Sequence, residues 1–175
     1  MKRRTIFKGG WLVAMLSVGW LLFLGCGYRF VGSGDLPRGI TSVGVRTLEN
    51  ETSAIGLENQ LTNDLVFELT RAGRLPVVRP EEASAVMSGT IETLRVRSLS
   101  RSSINTAQEQ RVTLSVRFVV KNKAGETIWR RKLSESEEYL VGSDNFSTGA
   151  NRNQALQTVT RRLAEKAHYG LTDQF

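Results

Sequence analysis

One alternating segment in the second half of the chain restricts its fold more than any other feature. Between residues 112 and 120 every second residue is a large apolar one, whereas Thr113, Ser115 and Arg117 lie between them. A period of two is that of a β-strand, and the contrast between the two sets indicates one buried face and one face in contact with water. The segment therefore predicts a sheet that other elements must cover on one side.

Two amphipathic helices are indicated, one on each side of the strand region. Apolar residues recur at helical spacing from Leu57 to Ala72, and Gly73 supplies a C-terminal stop. The second helix is predicted to begin at Asn151, because Gln154 follows three residues later in an arrangement similar to a capping box. Its apolar face is formed by Leu156, Val159, Leu163 and Ala167.

Three further segments have strand character: residues 40–48, 86–96 and 126–133. In the first of them, Val43, Val45 and Thr47 are expected on one face. The Ser- and Arg-rich residues 98–108 are typical of a hairpin tip, and residues 134–147 are predicted to be an acidic connection. The order strand, helix, three strands, helix predicts an α+β fold. It would be a two-layer sandwich in which a mainly antiparallel sheet of about four strands packs two helices on one face.

The N-terminal segment has the layout of a secretory signal peptide. Four basic residues lie within the first eight, and a run of 14 apolar or small residues follows. A helix of that length rises about 21 Å, less than the roughly 30 Å of a bilayer core. Gly25 then precedes Cys26, the only cysteine, which resembles a bacterial lipobox. The resemblance implies that residues 1–25 are removed and that Cys26 carries the lipid. The alternative is an uncleaved anchor in which the cysteine is incidental.

The predicted organisation has three parts: a signal peptide at 1–25, a lipid-anchored tether at 26–39 and a single α/β domain at 40–175. The tether is Gly-rich and has no helical or strand period. Two or more acyl chains, including a palmitate-type chain, would make the attachment at Cys26 stable. Gly27 stands where Asp would resemble an inner-membrane retention signal, so we expect the periplasmic side of the outer membrane.

Composition argues against an enzyme. The chain has one cysteine and one histidine, His168, and it lacks the G-x-S-x-G, H-E-x-x-H and P-loop motifs. We therefore predict no catalytic residues, no metal and no cofactor. The net charge of +7 falls to about +3 without the signal peptide, since 20 basic residues then face 17 acidic ones. A dedicated nucleic-acid partner is not expected.

The distribution of charge is more informative than its sum. Between residues 94 and 132 there are ten basic residues and only two acidic ones. Strand alternation places Arg95 and Arg97 on one face and Arg117 on the exposed face of its strand. Guanidinium groups bind phosphate bidentately, and aromatic residues for base stacking are sparse, so an anionic glycolipid fits better than nucleic acid. The alternative is a solubilising basic surface.

Several short segments, taken in order, resemble the LptE family of lipopolysaccharide-assembly lipoproteins. They are Cys26-Gly27-Tyr28-Arg29-Phe30, E-N-E-T at 49–52, R-A-G at 71–73, S-G-T-I at 88–91, S-E-E-Y at 136–139 and L-T-D-Q-F at 171–175. The resemblance implies a domain that serves as plug and assembly partner of the LptD β-barrel and that binds lipopolysaccharide. Arg101 is the best positional match to a ligand-binding arginine, and Arg152 is a second candidate.

Two other classes of function stay open at this point. A lipoprotein that regulates a peptidoglycan synthase could begin with a similar strand and helix, and it would be recognised by its partner. A hydrolase would need an acid and base pair, which the sequence does not offer.

Overall fold

The computed structural model describes residues 40–99 and 108–172, and it confirms the predicted α+β class. Two helices and a mixed sheet of five strands follow one another in the order β-β-α-β-β-β-α. The elements are β1 (Val43–Val45), β2 (Glu49–Asn50), α1 (Leu57–Ala72), β3 (Ala85–Leu99), β4 (Glu109–Asn122), β5 (Thr127–Leu140) and α2 (Asn145–Thr172). The predicted boundaries at residues 25 and 39 lie outside the described residues.

The three long strands form the body of the sheet. β3, β4 and β5 are consecutive antiparallel neighbours, whereas the short strands β1 and β2 pair parallel with the first half of β3. Glu49 and Asn50 of β2 pair with Thr90 and Ile91, so within the described residues no strand pairs with β3 beyond that point on this side.

The core lies between one face of this sheet and the two helices. The alternating apolar residues of β4, from Val112 to Val120, are 0–1% exposed, as the alternation predicts. Leu57, Leu61 and Leu65 of α1 are buried against them, together with Val159 and Leu163 of α2. Helix α1 ends at Ala72 and is followed by Gly73, whose φ of 64° is the left-handed conformation that favours glycine at a helix C-terminus. The predicted face of α2 is therefore confirmed, and that of α1 is confirmed from Leu57 to Leu69, whereas Ala72 at its end is exposed.

The first predicted strand, residues 40–48, is wrong in its length and partly in its face. β1 stops at Val45, and the chain resumes pairing only at Glu49. Thr47 is exposed, while Leu48 is 3% exposed and points into the core. The break is stabilised because the Leu48 amide donates a hydrogen bond to the Thr62 hydroxyl of α1 (3.1 Å). Burial of a leucine thus overrides the simple alternation.

The predicted acidic connection at 134–147 is also wrong, because β5 continues to Leu140. Its acidic residues are compatible with a strand since each meets a cation. Glu137 pairs with Arg162 of α2 (2.5 Å), and Glu135 pairs with Lys166. These two pairs fix the outer strand of the sheet to the helix above it.

Helix α2 begins at Asn145 rather than at the predicted Asn151. The Ser147 amide donates to Oδ1 of Asp144 (2.7 Å), and the Asp144 amide donates back to the Ser147 hydroxyl (3.3 Å). This reciprocal cap lowers the pKa of Asp144, mainly through the bonds from Ser147. Asn151 instead donates its side-chain amide to the carbonyl of Leu140 (2.9 Å).

Candidate functional site

The face of the sheet opposite the helices, which we call the open face, is mainly polar, although Val119 of β4 lies on it between Arg117 and Lys121. Residues paired across neighbouring strands share a face, so the register of β4 defines this surface. Its polar members include Thr90, Glu92, Thr93, Arg95 and Arg97 of β3; Arg111, Thr113, Ser115, Arg117 and Lys121 of β4; and Arg130, Lys132, Ser134, Ser136 and Glu138 of β5.

A β-bulge in β3 brings the strand arginines onto one surface. The register with β4 shifts between Ile91 and Thr93, so Glu92 is an extra residue without a partner of its own. If Glu92 instead paired in a regular register, Arg95 and Arg97 would point toward the helices, because a shift of one residue reverses the side of every later side chain. Because the bulge skips Glu92, both arginines lie on the same face as Arg117.

The open face contains two groups of cations. The upper cluster is Arg95, Arg97 and Arg111, near the end of the sheet where β3 leads into residues 100–107. The lower cluster is Arg117, Arg130 and Lys132, near the middle of β4 and the first half of β5.

A hydroxyl belt separates the two clusters. The residues of the belt are Thr93, Thr113, Ser115, Ser134 and Ser136. The Ser115 and Ser134 hydroxyl oxygens are 3.1 Å apart, within hydrogen-bonding distance. Thr113 pairs with Arg95 of the upper cluster, and from Thr113 to Arg117 of the lower cluster β4 advances about 13 Å. A ligand that contacts both clusters must therefore be longer than one phosphate group.

Carboxylates of the protein neutralise only part of this charge. Glu138 accepts a salt bridge from Arg111 (2.5 Å) in the upper cluster. In the lower cluster, Glu92 accepts contacts from Arg117 (2.7 Å) and Lys132 (2.6 Å). These hydrogen bonds, the one from Lys132 first, hold the pKa of Glu92 below its usual value.

Three guanidinium groups on the open face differ from Arg111 and Arg117 in their pairing. Within residues 40–99 and 108–172, Arg95, Arg97 and Arg130 form no salt bridge. Arg95, Arg97 and Arg130 are also exposed to solvent.

The remaining predicted site residues lie elsewhere. Cys26 and Arg101 lie outside the described residues. Arg152 lies on α2, in the helix layer on the other side of the sheet, and its Nε is buried without a hydrogen-bond partner in the described part of the chain. The structure therefore brings Arg95, Arg97 and Arg117 together but does not add Arg152 to them.

Sequence reasoning left Glu92 out of the candidate site, because it precedes the basic segment. The sequence did contain a signal, a change in the phase of the apolar residues. Met87 and Ile91 face the core at odd-numbered positions, but the next residue that faces it is Leu94, at an even-numbered position. A strand whose apolar residues move from odd to even positions contains an extra residue at the change.

Other parts of the described structure suit an anion less well. A cleft between β5 and α2 is lined by Glu137, Glu138, Asn151 and Gln154, so its negative charge does not suit an anion.

In residues 40–99 and 108–172, no three His, Cys, Asp or Glu side chains are grouped as a metal site. Neither of the two helices described has a segment long and apolar enough to cross a bilayer.

An α+β domain with a basic, hydroxyl-rich open face is the class of protein that these observations define. The family model LptE, described as lipopolysaccharide-assembly, matches residues 40–168 of this chain. The match spans most of the sequence, and the chain belongs to this family. No curated protein is significantly similar to the chain in sequence.

Solved structures show the same fold at low sequence identity. Rare lipoprotein B from Shewanella oneidensis has a TM-score of 0.51 and 17% identity, covering 75% of this chain and 95% of that one. Uncharacterized lipoprotein B from Nitrosomonas europaea has a TM-score of 0.53 and 13% identity, covering 85% and 90%. At such identities the likeness establishes the architecture, and the function must come from the family and the site.

Proposed function

We propose that this protein is a non-enzymatic outer-membrane lipoprotein that assists lipopolysaccharide transport and assembly at the cell surface. In this role it would be the plug and assembly partner of the LptD barrel and would bind lipopolysaccharide itself. Membership of the lipopolysaccharide-assembly family supports the general role. The open face supports the binding role.

The observation that carries the proposal is the set of unneutralised guanidinium groups on a surface that also presents hydroxyls. Lipopolysaccharide combines phosphate groups with sugar rings. Arg95, Arg97 and Arg130 would bind the phosphates through charge-assisted hydrogen bonds. The hydroxyl belt would bind sugar oxygens. No covalent step is required, because the task is to hold and pass on an amphiphile.

The anchor and the barrel complete the proposal. Acylated Cys26 would hold the domain at the inner leaflet of the outer membrane, and residues 27–39 would connect the two. A wide β-barrel leaves an aqueous lumen unless something fills it. A folded domain in that lumen would seal the barrel and offer the open face to a passing glycolipid.

The test is a pull-down of the tagged full-length chain from its native envelope in mild detergent, followed by mass spectrometry. The proposal predicts recovery of an outer-membrane barrel of the lipopolysaccharide-transport type in about equal amount. Recovery of a peptidoglycan synthase in its place would contradict the proposal and support the regulatory alternative. A Cys26→Ala variant serves as a control for anchoring, because it should lose membrane attachment while the domain still folds.

A further inference from the structure

Glu92 has a position that the fold alone does not explain. It is the extra residue of the β3 bulge, and any residue type there would shift the strand by the same amount. Yet both of its carboxylate oxygens are engaged, Oε1 by Nε of Arg117 at 2.7 Å and Oε2 by Nζ of Lys132 at 2.6 Å.

The two cations that Glu92 joins are directly paired across β4 and β5. Like charges at such a position repel each other, so the sheet would not favour this arrangement by itself. One carboxylate between them cancels the repulsion. The arrangement therefore keeps two positive groups side by side that a strand pair would otherwise avoid.

From this geometry we infer that Arg117 and Lys132 form a phosphate site, which the Glu92 carboxylate occupies in the free protein and which a ligand phosphate takes over. A carboxylate and a phosphate offer the same kind of oxygen to a guanidinium or an ammonium group. The Glu92 side chain is only 17% exposed, whereas those of Arg117 and Lys132 are 49% and 63% exposed. A ligand can therefore reach both cations from the solvent side.

The inference gives the two clusters different roles, and for its ligand it rests on the proposed function. Arg95 and Arg97 pair with no carboxylate of the described residues, so they would receive the first phosphate. Arg117 and Lys132 of the lower cluster would receive a second phosphate only after Glu92 is displaced. A ligand with two phosphate groups separated by sugars would thus be favoured over a singly charged lipid.

The test compares the full-length wild type with Glu92→Gln in detergent. Binding is titrated with inorganic pyrophosphate and with phosphatidylcholine vesicles that contain either bis-phosphorylated lipid A or the same lipid without phosphates. The matched control is Glu82→Gln, which makes the same change of charge at an exposed residue that pairs with Arg79 outside the sheet.

Removing the internal competitor should raise affinity for the phosphorylated vesicles about two- to fivefold, since an exposed ion pair contributes up to about a fivefold factor. Glu82→Gln should leave the affinity unchanged. A gain on vesicles alone identifies a lipid headgroup as the ligand, and a gain on pyrophosphate as well identifies phosphate in general; both support the site. Unchanged or weaker binding by Glu92→Gln, with a wild type that binds, would overturn the inference and leave the proposed function standing.

A second variant covers the case in which Glu92→Gln is poorly folded. Arg117→Gln breaks the same ion pair but also removes a phosphate ligand, so it should weaken binding to the phosphorylated vesicles. If Glu92 and Arg117 only stabilise the sheet, Arg117→Gln will bind as the wild type does, and the site is refuted. Absence of binding by every protein to every phosphate probe would refute both the site and the lipopolysaccharide-binding part of the proposed function.

Discussion

The two faces of one sheet have opposite compositions although they are built from the same strands. Between Val112 and Val120 of β4, the residues that face the helices are 0–1% exposed and apolar. The residues that alternate with them include Arg111 and Arg117, whose side chains are 47% and 49% exposed. Packing dictates the first set. The second set is free of that constraint, so its arginines and hydroxyls give information about function rather than about folding.

The comparison also shows where the core ends. On β5 the first two inward positions after Leu133 are Glu135 and Glu137, and the third is the buried Tyr139. Both glutamates pair with cations of α2, so ion pairs close the core at the outer strand. Hydrophobic burial holds the centre of the sheet, and charge pairs hold its margin.

The largest expected effect comes from the packed face. Phe118 is fully buried, and Phe118→Ala should lower the free energy of unfolding by about 3–5 kcal/mol through lost burial and a residual cavity. Urea denaturation of the full-length chain measures this. Thr113→Ala, on the same strand but on the open face, should cost under about 0.5 kcal/mol. Similar losses for both variants would show that the two faces are not energetically distinct.

The next effect concerns binding rather than stability. Arg95→Glu combined with Arg97→Glu should weaken lipopolysaccharide binding by about tenfold or more for each arginine, because charged hydrogen bonds are replaced by repulsion. The unfolding midpoint should hardly change. Arg79→Glu with Lys123→Glu provides the control, since both residues are exposed in loops at the other end of the sheet. Equal weakening by this control pair would mean that only net charge matters.

A smaller effect is expected at the margin of the core. Glu137→Gln removes the ion pair with Arg162, whose side chain is 45% exposed, so the loss should be about 0.2–1 kcal/mol. Thermal unfolding in low and high salt is the measurement. The difference from wild type should shrink in high salt, and a difference that persists unchanged would indicate packing rather than charge.

The smallest effect is a pH dependence in the helix layer. Burial raises the pKa of Asp64, which lies between α1 and α2 near Thr160 and Arg161 of α2 and Glu68 of α1. An acid whose pKa is raised on folding makes the protein less stable as pH rises through that pKa. Asp64→Asn should therefore be slightly more stable than wild type at neutral pH and equal to it in acid. Urea denaturation at both pH values measures the difference in the free energy of unfolding. A larger difference between the variant and the wild type in acid would contradict a raised pKa of Asp64.

The fold class could be predicted because it depends on periodic patterns. The alternation in β4 and the leucine spacing in α1 are each repeated several times. A single position that departs from the pattern therefore does not change the predicted element. Boundaries depend on single contacts instead. The start of α2 depends on the reciprocal bonds of Asp144 and Ser147, and the length of β5 depends on partners such as Lys166 that are distant in sequence.

The candidate site was predictable to a lesser degree. The excess of arginines was visible, and so was their alternation within each strand. Their common face was not, because it depends on the bulge at Glu92, one extra residue that reverses the side of Arg95 and Arg97. The roles of Cys26, Arg101 and Arg152 in anchoring and binding remain predictions.

The central claim is that the open face, and not the helix layer, meets lipopolysaccharide. A photo-crosslinking amino acid placed at Thr113 or Ser115 samples the open face, and one at Asn59 or Asn63 samples the exposed surface of α1. After irradiation of cells that produce the full-length chain, we expect lipopolysaccharide adducts from Thr113 and Ser115 and none from the asparagines. Adducts from the asparagines alone would contradict the account.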